Sequence, residues 1–204
     1  MAVQRRVVVF DLGGVLLDWN PRHLYRKLFR GDDAAMETFL SEVCSPEWNE
    51  RQDAGRSFAE AVAELAPKHP DKLHLINAWR ERFPEMIPGA IEGTVDVLRE
   101  LMSSNVPVYA LSNWSAETFP SARERFPFLA WFDGIVLSGA ERCMKPDERI
   151  FRILLDRYDL AVGETVFIDD NPRNAHAAGA LGIHGIHFQS PDGLRRELGE
   201  LGFM

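Results

Sequence analysis

The chain has 204 residues, 46% hydrophobic and 26% charged, enough to bury a sizeable core and a small second module. Its 31 acidic residues outweigh 23 basic ones, and the net charge of -8 argues against nucleic acid or an anionic membrane as the main partner. No apolar run reaches the length of a membrane span, residues 1–6 lack the basic-then-apolar order of a secretory signal, and Cys44 and Cys143 show no metal-ligand spacing, so a cytoplasmic protein with free thiols is expected.

Taken in chain order, Arg6-Val-Val-Val-Phe-Asp11 is a short β-branched run closed by Gly13 and Gly14, the pattern of a strand buried on both faces of a parallel sheet. From about Pro21 to Phe83 only helical periodicity follows, as in Leu24-Tyr25-Leu28-Phe29 and Phe58-Val62-Leu65, punctuated by Gly31, Pro46, Gly55, Pro67 and Pro70. This predicts an all-helical insert, with Met86-Ile-Pro-Gly89 as the hinge that returns the chain to the sheet. A helix over 91–102 leads to a strand at 106–111 that ends on Ser112-Asn113, then a helix over 115–125 and a strand at 134–137. A helix over 147–158, a strand at 165–168 ending on Asp169-Asp170-Asn171-Pro172, a helix over 173–181, a strand near 183–188 and a helix near 192–201 complete the chain. The alternation predicts an α/β fold, a doubly wound parallel sheet with right-handed crossovers and an inserted helical module.

In open parallel sheets, ligands bind beyond the carboxyl ends of the strands. Asp11, Ser112 and the pair Asp169 and Asp170 all stand at such ends. A lone aspartate after a strand is ordinarily a turn former, but three strand ends in agreement outweigh that reading. Three clustered carboxylates repel one another unless a cation sits among them, and Mg2+ suits carboxylate and backbone oxygens together with a substrate phosphate. Asn171 before Pro172 serves as a helix cap, which leaves both aspartates free. Asp11 can act as an in-line nucleophile on phosphorus, Gly13 and Gly14 let the backbone approach a phosphate, Ser112 can donate its hydroxyl, and Lys145 can bring an ammonium to the same oxygens.

In order and spacing these residues resemble the haloacid dehalogenase superfamily, whose phosphatases carry four short motifs on a Rossmann-like core. Phe10-Asp-Leu-Gly-Gly-Val15, Leu111-Ser-Asn113, Lys145-Pro146 and Phe167-Ile-Asp-Asp-Asn171 stand for the four, and the likeness covers nearly the whole chain. It implies a catalytic core over 1–17 and 86–204 and a helical cap over 18–85. It also implies Asp11 as nucleophile, and Asp11, the Gly13 carbonyl, Asp170 and the adjacent Asp169 as the metal set. Leu12, Gly13, Ser112, Asn113 and Lys145 would hold the phosphate, with Lys145 also catalytic. The implied activity is Mg2+-dependent hydrolysis of a small phosphate monoester through an aspartyl-phosphate, by a monomer or homodimer.

The departure is Gly13, where most of these phosphatases carry a second aspartate that protonates the leaving group. An α-D-glucose-1-phosphate phosphatase subgroup is similar in opening with Asp-Leu-Gly, which implies a sugar phosphate. Two alternatives stay open: a metal-free 2-haloacid dehalogenase that uses Asp11 on carbon, and a non-catalytic regulatory protein that only binds metal and phosphate. His23, Trp48, Asp53 and Arg56 are the candidate cap contacts to substrate, while His176, His184 and His187 read as structural.

Overall fold

The computed structural model describes residues 6–204; residues 1–5, read above for signal character and counted in the core, lie outside the described residues. Five strands form one parallel sheet: β1 (Val7–Phe10), β2 (Val108–Ser112), β3 (Gly134–Leu137), β4 (Thr165–Asp169) and β5 (His184–His187). Their spatial order is β3-β2-β1-β4-β5, so the chain winds outward from β1 in one direction and then in the other. The crevice of such a sheet opens where the winding reverses, between β1 and β4. There Phe10 pairs with Ile168, and the Asp11 amide donates to the Ile168 carbonyl at 2.8 Å, so Asp11 and Asp169 emerge side by side.

Strand residues alternate between two cores, as the two-residue pleat requires. Val8, Phe10, Val108, Ala110 and Ile168 join one cluster; Val9, Leu111, Val136 and Phe167 join the other. The first is covered by α6 (Glu92–Ser103) and α11 (Pro191–Glu200), through residues such as Leu98, Leu101, Leu194 and Leu198. The second is covered by α9 (Glu148–Tyr158) and α10 (Pro172–Ala180), through Phe151, Leu154 and Ala178. Cys44 and Cys143 are both buried and free. Among the described residues, no helix is long and apolar enough to cross a membrane.

Between β1 and α6 the chain forms five α-helices: α1 (Arg22–Leu28), α2 (Asp33–Glu42), α3 (Pro46–Asp53), α4 (Phe58–Leu65) and α5 (Leu73–Glu81). The punctuating residues act as local chemistry dictates. Gly31 and Gly55 take positive φ of 88° and 97°, Pro46 starts α3 behind the Ser45 cap, and Ser57 and Glu60 form a capping box on α4. Tyr25, Phe39, Trp48, Phe58 and Trp79 pack among themselves, and the Tyr25 hydroxyl donates to the Leu75 carbonyl at 2.9 Å. Their apolar cluster runs on without a break into the sheet's own. The two connections pair with each other: Ile91 donates to Leu16, Asp18 to Gly89 and Asn20 to Met86. Arg125 reaches the carbonyls of Pro84, Ile87 and Pro88 from the end of α7 (Phe119–Arg125).

Two expectations needed correction. The helix expected from Ser115 starts only at Phe119, because 115–118 is a turn held by the Trp114 ring N–H on the Thr118 hydroxyl at 3.0 Å. A short helix, α8 (Ser138–Glu141), follows β3 directly; four residues are too few to carry a periodic signal.

Strand β5 lies so close under α10 that a Cβ on Gly185 would stand 2.2 Å from the Ala175 carbonyl oxygen, a backbone atom that cannot rotate away. Gly185→Ala is therefore expected to destabilise the fold by about 1–3 kcal/mol through overpacking, measured by urea denaturation.

Candidate active site

The strand ends bring together Asp11, Asp169 and Asp170, each offering a carboxylate oxygen within 4.8 Å of the others. Lys145 lies fully buried beneath them. Its three N–H donors are all taken: by the Leu111 carbonyl at 2.8 Å, Asp169 Oδ2 at 2.7 Å and Asp11 Oδ2 at 3.0 Å. An ammonium in that position is tolerated only because every donor finds an acceptor and two of these are anions.

Neighbouring groups hold this pair in place. Asn113 fixes the Lys145 backbone at both ends, accepting from its amide at 2.8 Å and donating to its carbonyl at 2.9 Å. Asn174, on the first turn of α10, donates to Asp169 Oδ1 at 3.0 Å, and the Asn171 amide donates to the same oxygen at 2.8 Å. The sequence points to neither role: Asn113 reads there as a phosphate contact, and Asn174 carries no motif; its one signal is a polar side chain one turn into a helix that starts at the crevice.

Asp169 is fully buried with both oxygens hydrogen-bonded by Lys145, Asn171 and Asn174, so it anchors the lysine while its carboxylate stays within the acidic cluster. The Leu12 amide, expected to face a phosphate, donates to Asp11 Oδ1 at 2.7 Å and so orients the Asp11 carboxylate. Asp170 is exposed to the cleft, and Gly14 makes room for it: with φ at 74°, a Cβ there would stand 2.3 Å from an Asp170 carboxylate oxygen. Gly13 is different. A Cβ on it would meet only the Trp19 Cβ at 3.7 Å, so space alone does not forbid a side chain at this position.

Burial pushes the Asp11 carboxyl up to about 7; Lys145 opposes this, while Asp169 and Asp170 add to it. Asp170 is raised as well, first by burial and then by Asp169. Three carboxylates against one ammonium leave two negative charges when all are ionised, the charge that one divalent cation neutralises. Asp11, Asp170 and the Gly13 carbonyl are hard oxygen donors at the mouth of the crevice, a set that suits magnesium.

Above the strand ends lies a cleft of about 510 Å3. Asp11, Gly13, Gly14, Ser112, Asn113 and Asp170 form its floor. The helical insert adds Asn49, Glu50, Asp53, Leu40, Cys44 and Trp79, and Trp19, Asn20 and Arg22 come from the connection and the start of α1. Of the four cap candidates only Asp53 faces this space. Trp48 is buried inside the insert against Phe58 and Trp79, and Arg56 is held by Glu64, Gln52 and the Trp48 carbonyl. His23 lies 3.2 Å from Asp18 outside the cleft. His176, His184 and His187 are exposed, and only His187 comes near the floor, at 3.1 Å from the Asp170 carbonyl.

The insert is fastened to the cleft through Asp53. The Ser138 hydroxyl donates to the Asp53 carbonyl and accepts from the Trp114 amide. Gly55 sits against α8, where a Cβ would stand 2.9 Å from the Gly139 carbonyl, and a Cβ on Gly139 would meet the backbone of 114–116 at 2.7–2.9 Å.

Comparison with known proteins follows this geometry. The family description "haloacid dehalogenase-like hydrolase" matches residues 5–182. A sesquiterpene phosphatase of Aspergillus oryzae is 27% identical over 188 residues, covering 92% of this chain and 91% of its own. A haloacid dehalogenase family enzyme of Bacteroides thetaiotaomicron, solved with magnesium and inorganic phosphate, is similar at TM-score 0.70 and 24% identity, covering 91% of this chain and 95% of its own. A solved dehalogenase is similar at TM-score 0.63 and 22% identity over 90% of this chain and 84% of its own; both structural likenesses speak to the fold alone.

Replacing Lys145 with Met strands Asp11 and Asp169 in the interior. Asp11, already raised by burial, loses the cation that opposes the rise and ionises less readily in the folded than in the unfolded chain, so the penalty is small at acid pH and grows as pH rises through the carboxylate range. The expected loss of stability by urea denaturation is about 3–5 kcal/mol at neutral pH and less at pH near 4; a loss that does not change with pH would mean that only packing was disturbed.

Proposed function

The chain belongs to the haloacid dehalogenase-like hydrolases, and on that premise we propose that it is a magnesium-dependent phosphatase that hydrolyses a small phosphate monoester through an aspartyl-phosphate on Asp11. The observation that carries this reading is the composition of the crevice floor. A nucleophile-grade carboxylate is paired with a buried lysine and faces a second, cleft-exposed carboxylate, which together call for a divalent cation. The sesquiterpene phosphatase relative supports phosphate as the transferred group.

Asp11, Asp170 and the Gly13 carbonyl would hold the magnesium. When bound, the ion neutralises the carboxylates and draws charge from the phosphate oxygens. Leu12 and Lys145 restrict Asp11 to one orientation, as in-line attack demands. As the Asp11 oxygen bonds to phosphorus its negative charge passes to the phosphoryl group, and the Lys145 ammonium beneath stays to balance it. Ser112, Asn113 and the backbone of Gly13 and Gly14 line the place where phosphoryl oxygens would sit.

We take residues 18–85 as a cap that selects the leaving group. Its walls offer Asn20, Arg22 and Asn49 for hydroxyls and Trp19, Leu40 and Trp79 for an apolar body. A sugar phosphate fits the first set and an isoprenoid phosphate the second; the sesquiterpene phosphatase relative supports the second.

A panel of phosphomonoesters including glucose 1-phosphate and farnesyl phosphate, assayed with and without magnesium, is expected to give magnesium-dependent phosphate release that falls at least about 10³-fold in Asp11→Asn. Metal-independent halide release from 2-chloropropionate would instead establish a dehalogenase. Magnesium and phosphate binding without turnover would establish a binding protein.

A further inference from the structure

With Gly13 lacking a carboxyl, the leaving oxygen has no proton donor on the crevice floor, since Asp11 attacks, Asp170 faces the metal position and Asp169 is committed to Lys145. A phosphatase with an alkoxide or phenoxide leaving group gains greatly from such a donor, about 10²–10⁴-fold in rate. The donor must face the cleft, be held rigidly and carry its proton at neutral pH.

We propose that Asp53, on the last turn of α3, is the general acid and base of this enzyme, delivered from the insert instead of from position 13. The proposal rests on the phosphatase reading. Asp53 lines the same cavity as Asp11, one from the insert and one from the sheet. Its carboxylate is oriented by Asn49, whose Nδ2 donates to Oδ2 at 2.8 Å. Its backbone is fixed by the Ser138 hydroxyl, and the Gly55 turn that follows seats directly on the Gly139 carbonyl.

The charges around Asp53 favour its neutral form. Burial pushes its carboxyl up to about 8, and Glu50 on its own helix and Asp11 on the floor push the same way, against hydrogen bonds from the Ser115 backbone and Asn49. Arg51 and Arg56, the cations nearest in sequence, both pair with Glu64, and among the described residues no cation pairs with Asp53. The other acids that line the cleft fit less well. Glu50 is exposed at the rim, and burial raises the Cys44 thiol far above neutrality. His23 lies outside the cleft.

The two steps balance. As the Asp11–phosphorus bond forms and the bond to the leaving oxygen breaks, the Asp53 carboxyl proton passes to that oxygen and an alcohol departs. Asp53, now a carboxylate, takes a proton from water as the water oxygen bonds to phosphorus. The Asp11–phosphorus bond breaks, which frees inorganic phosphate and restores both residues.

The test compares p-nitrophenyl phosphate, whose leaving group needs little acid help, with phenyl phosphate, whose leaving group needs much, for the magnesium-loaded protein and its variants. Asp53→Asn is expected to lower kcat on phenyl phosphate about 10²-fold or more and on p-nitrophenyl phosphate far less, and to abolish the fall of kcat as pH rises through about 8. Adding Gly13→Asp to Asp53→Asn is expected to restore phenyl phosphate turnover, since a Cβ at position 13 meets nothing nearer than the Trp19 Cβ at 3.7 Å. Equal losses on both esters with an unchanged pH profile would overturn the proposal and leave Asp53 a structural residue. Should Asp53→Asn not fold, Gly13→Asp alone decides: loss of the alkaline limb supports the proposal, and an unchanged limb overturns it. No turnover of either ester by the unaltered protein would overturn the phosphatase reading, and this inference with it.

Discussion

The buried ammonium of Lys145 is the constraint on which the rest of the site depends. It is fully enclosed and has three acceptors for its three donors, so neither it nor its partners can shift alone. Asp169 must be at the end of β4, Leu111 at the end of β2 and Asp11 at the end of β1, three neighbouring strands in register. Asn113 and Asn174 are the next ring outward, spent on holding the lysine and its counter-ion. The arrangement converts sheet register into the aim of one carboxylate, and in the proposed role a nucleophile held this way needs little reorganisation to react.

Electrostatics then set what the floor can bind. One cation against three carboxylates is an incomplete neutralisation, and it adds to burial, the main cause that raises the Asp11 and Asp170 carboxyls. The shortfall lies on the cleft side, because Asp169 is already matched by Lys145. A divalent ion and a phosphate dianion together satisfy that field better than a haloacid carboxylate does, which is why the same fold as a dehalogenase does not imply the same chemistry.

The insert contributes through its attachment as much as through its side chains. Its aromatic core merges with the sheet's, and the two connections pair backbone to backbone. Two glycines permit its closest approach, Gly55 on the insert and Gly139 on α8, each too near a backbone for any side chain. That contact is what carries Asp53 into the cleft, while Trp48 and Arg56, a few residues either side, turn away into the insert. Trp48 and Asp53 part because five positions along α3 place them on different faces, and Arg56 parts from them because the Gly55 turn has already redirected the chain.

The amino-acid sequence by itself determined the α/β alternation, the helical insert, the strand ends that carry chemistry and the glycine at position 13. All of these are local: they follow from apolar period, β-branched runs and turn residues within a few positions of one another. Tertiary structure alone decided how the carboxylates divide their work. Asp169 and Asp170 are neighbours with the same side chain, and only β4's place beside β1 and above Lys145 turns one inward to an ion pair and leaves the other facing the cleft. The partner choice of Asn113 and Asn174, the Leu12 amide on Asp11 and the burial of Asp53 are likewise products of long-range packing. No spacing in the sequence encodes them, because each is set by segments that meet only once the sheet is wound and the insert is seated on it.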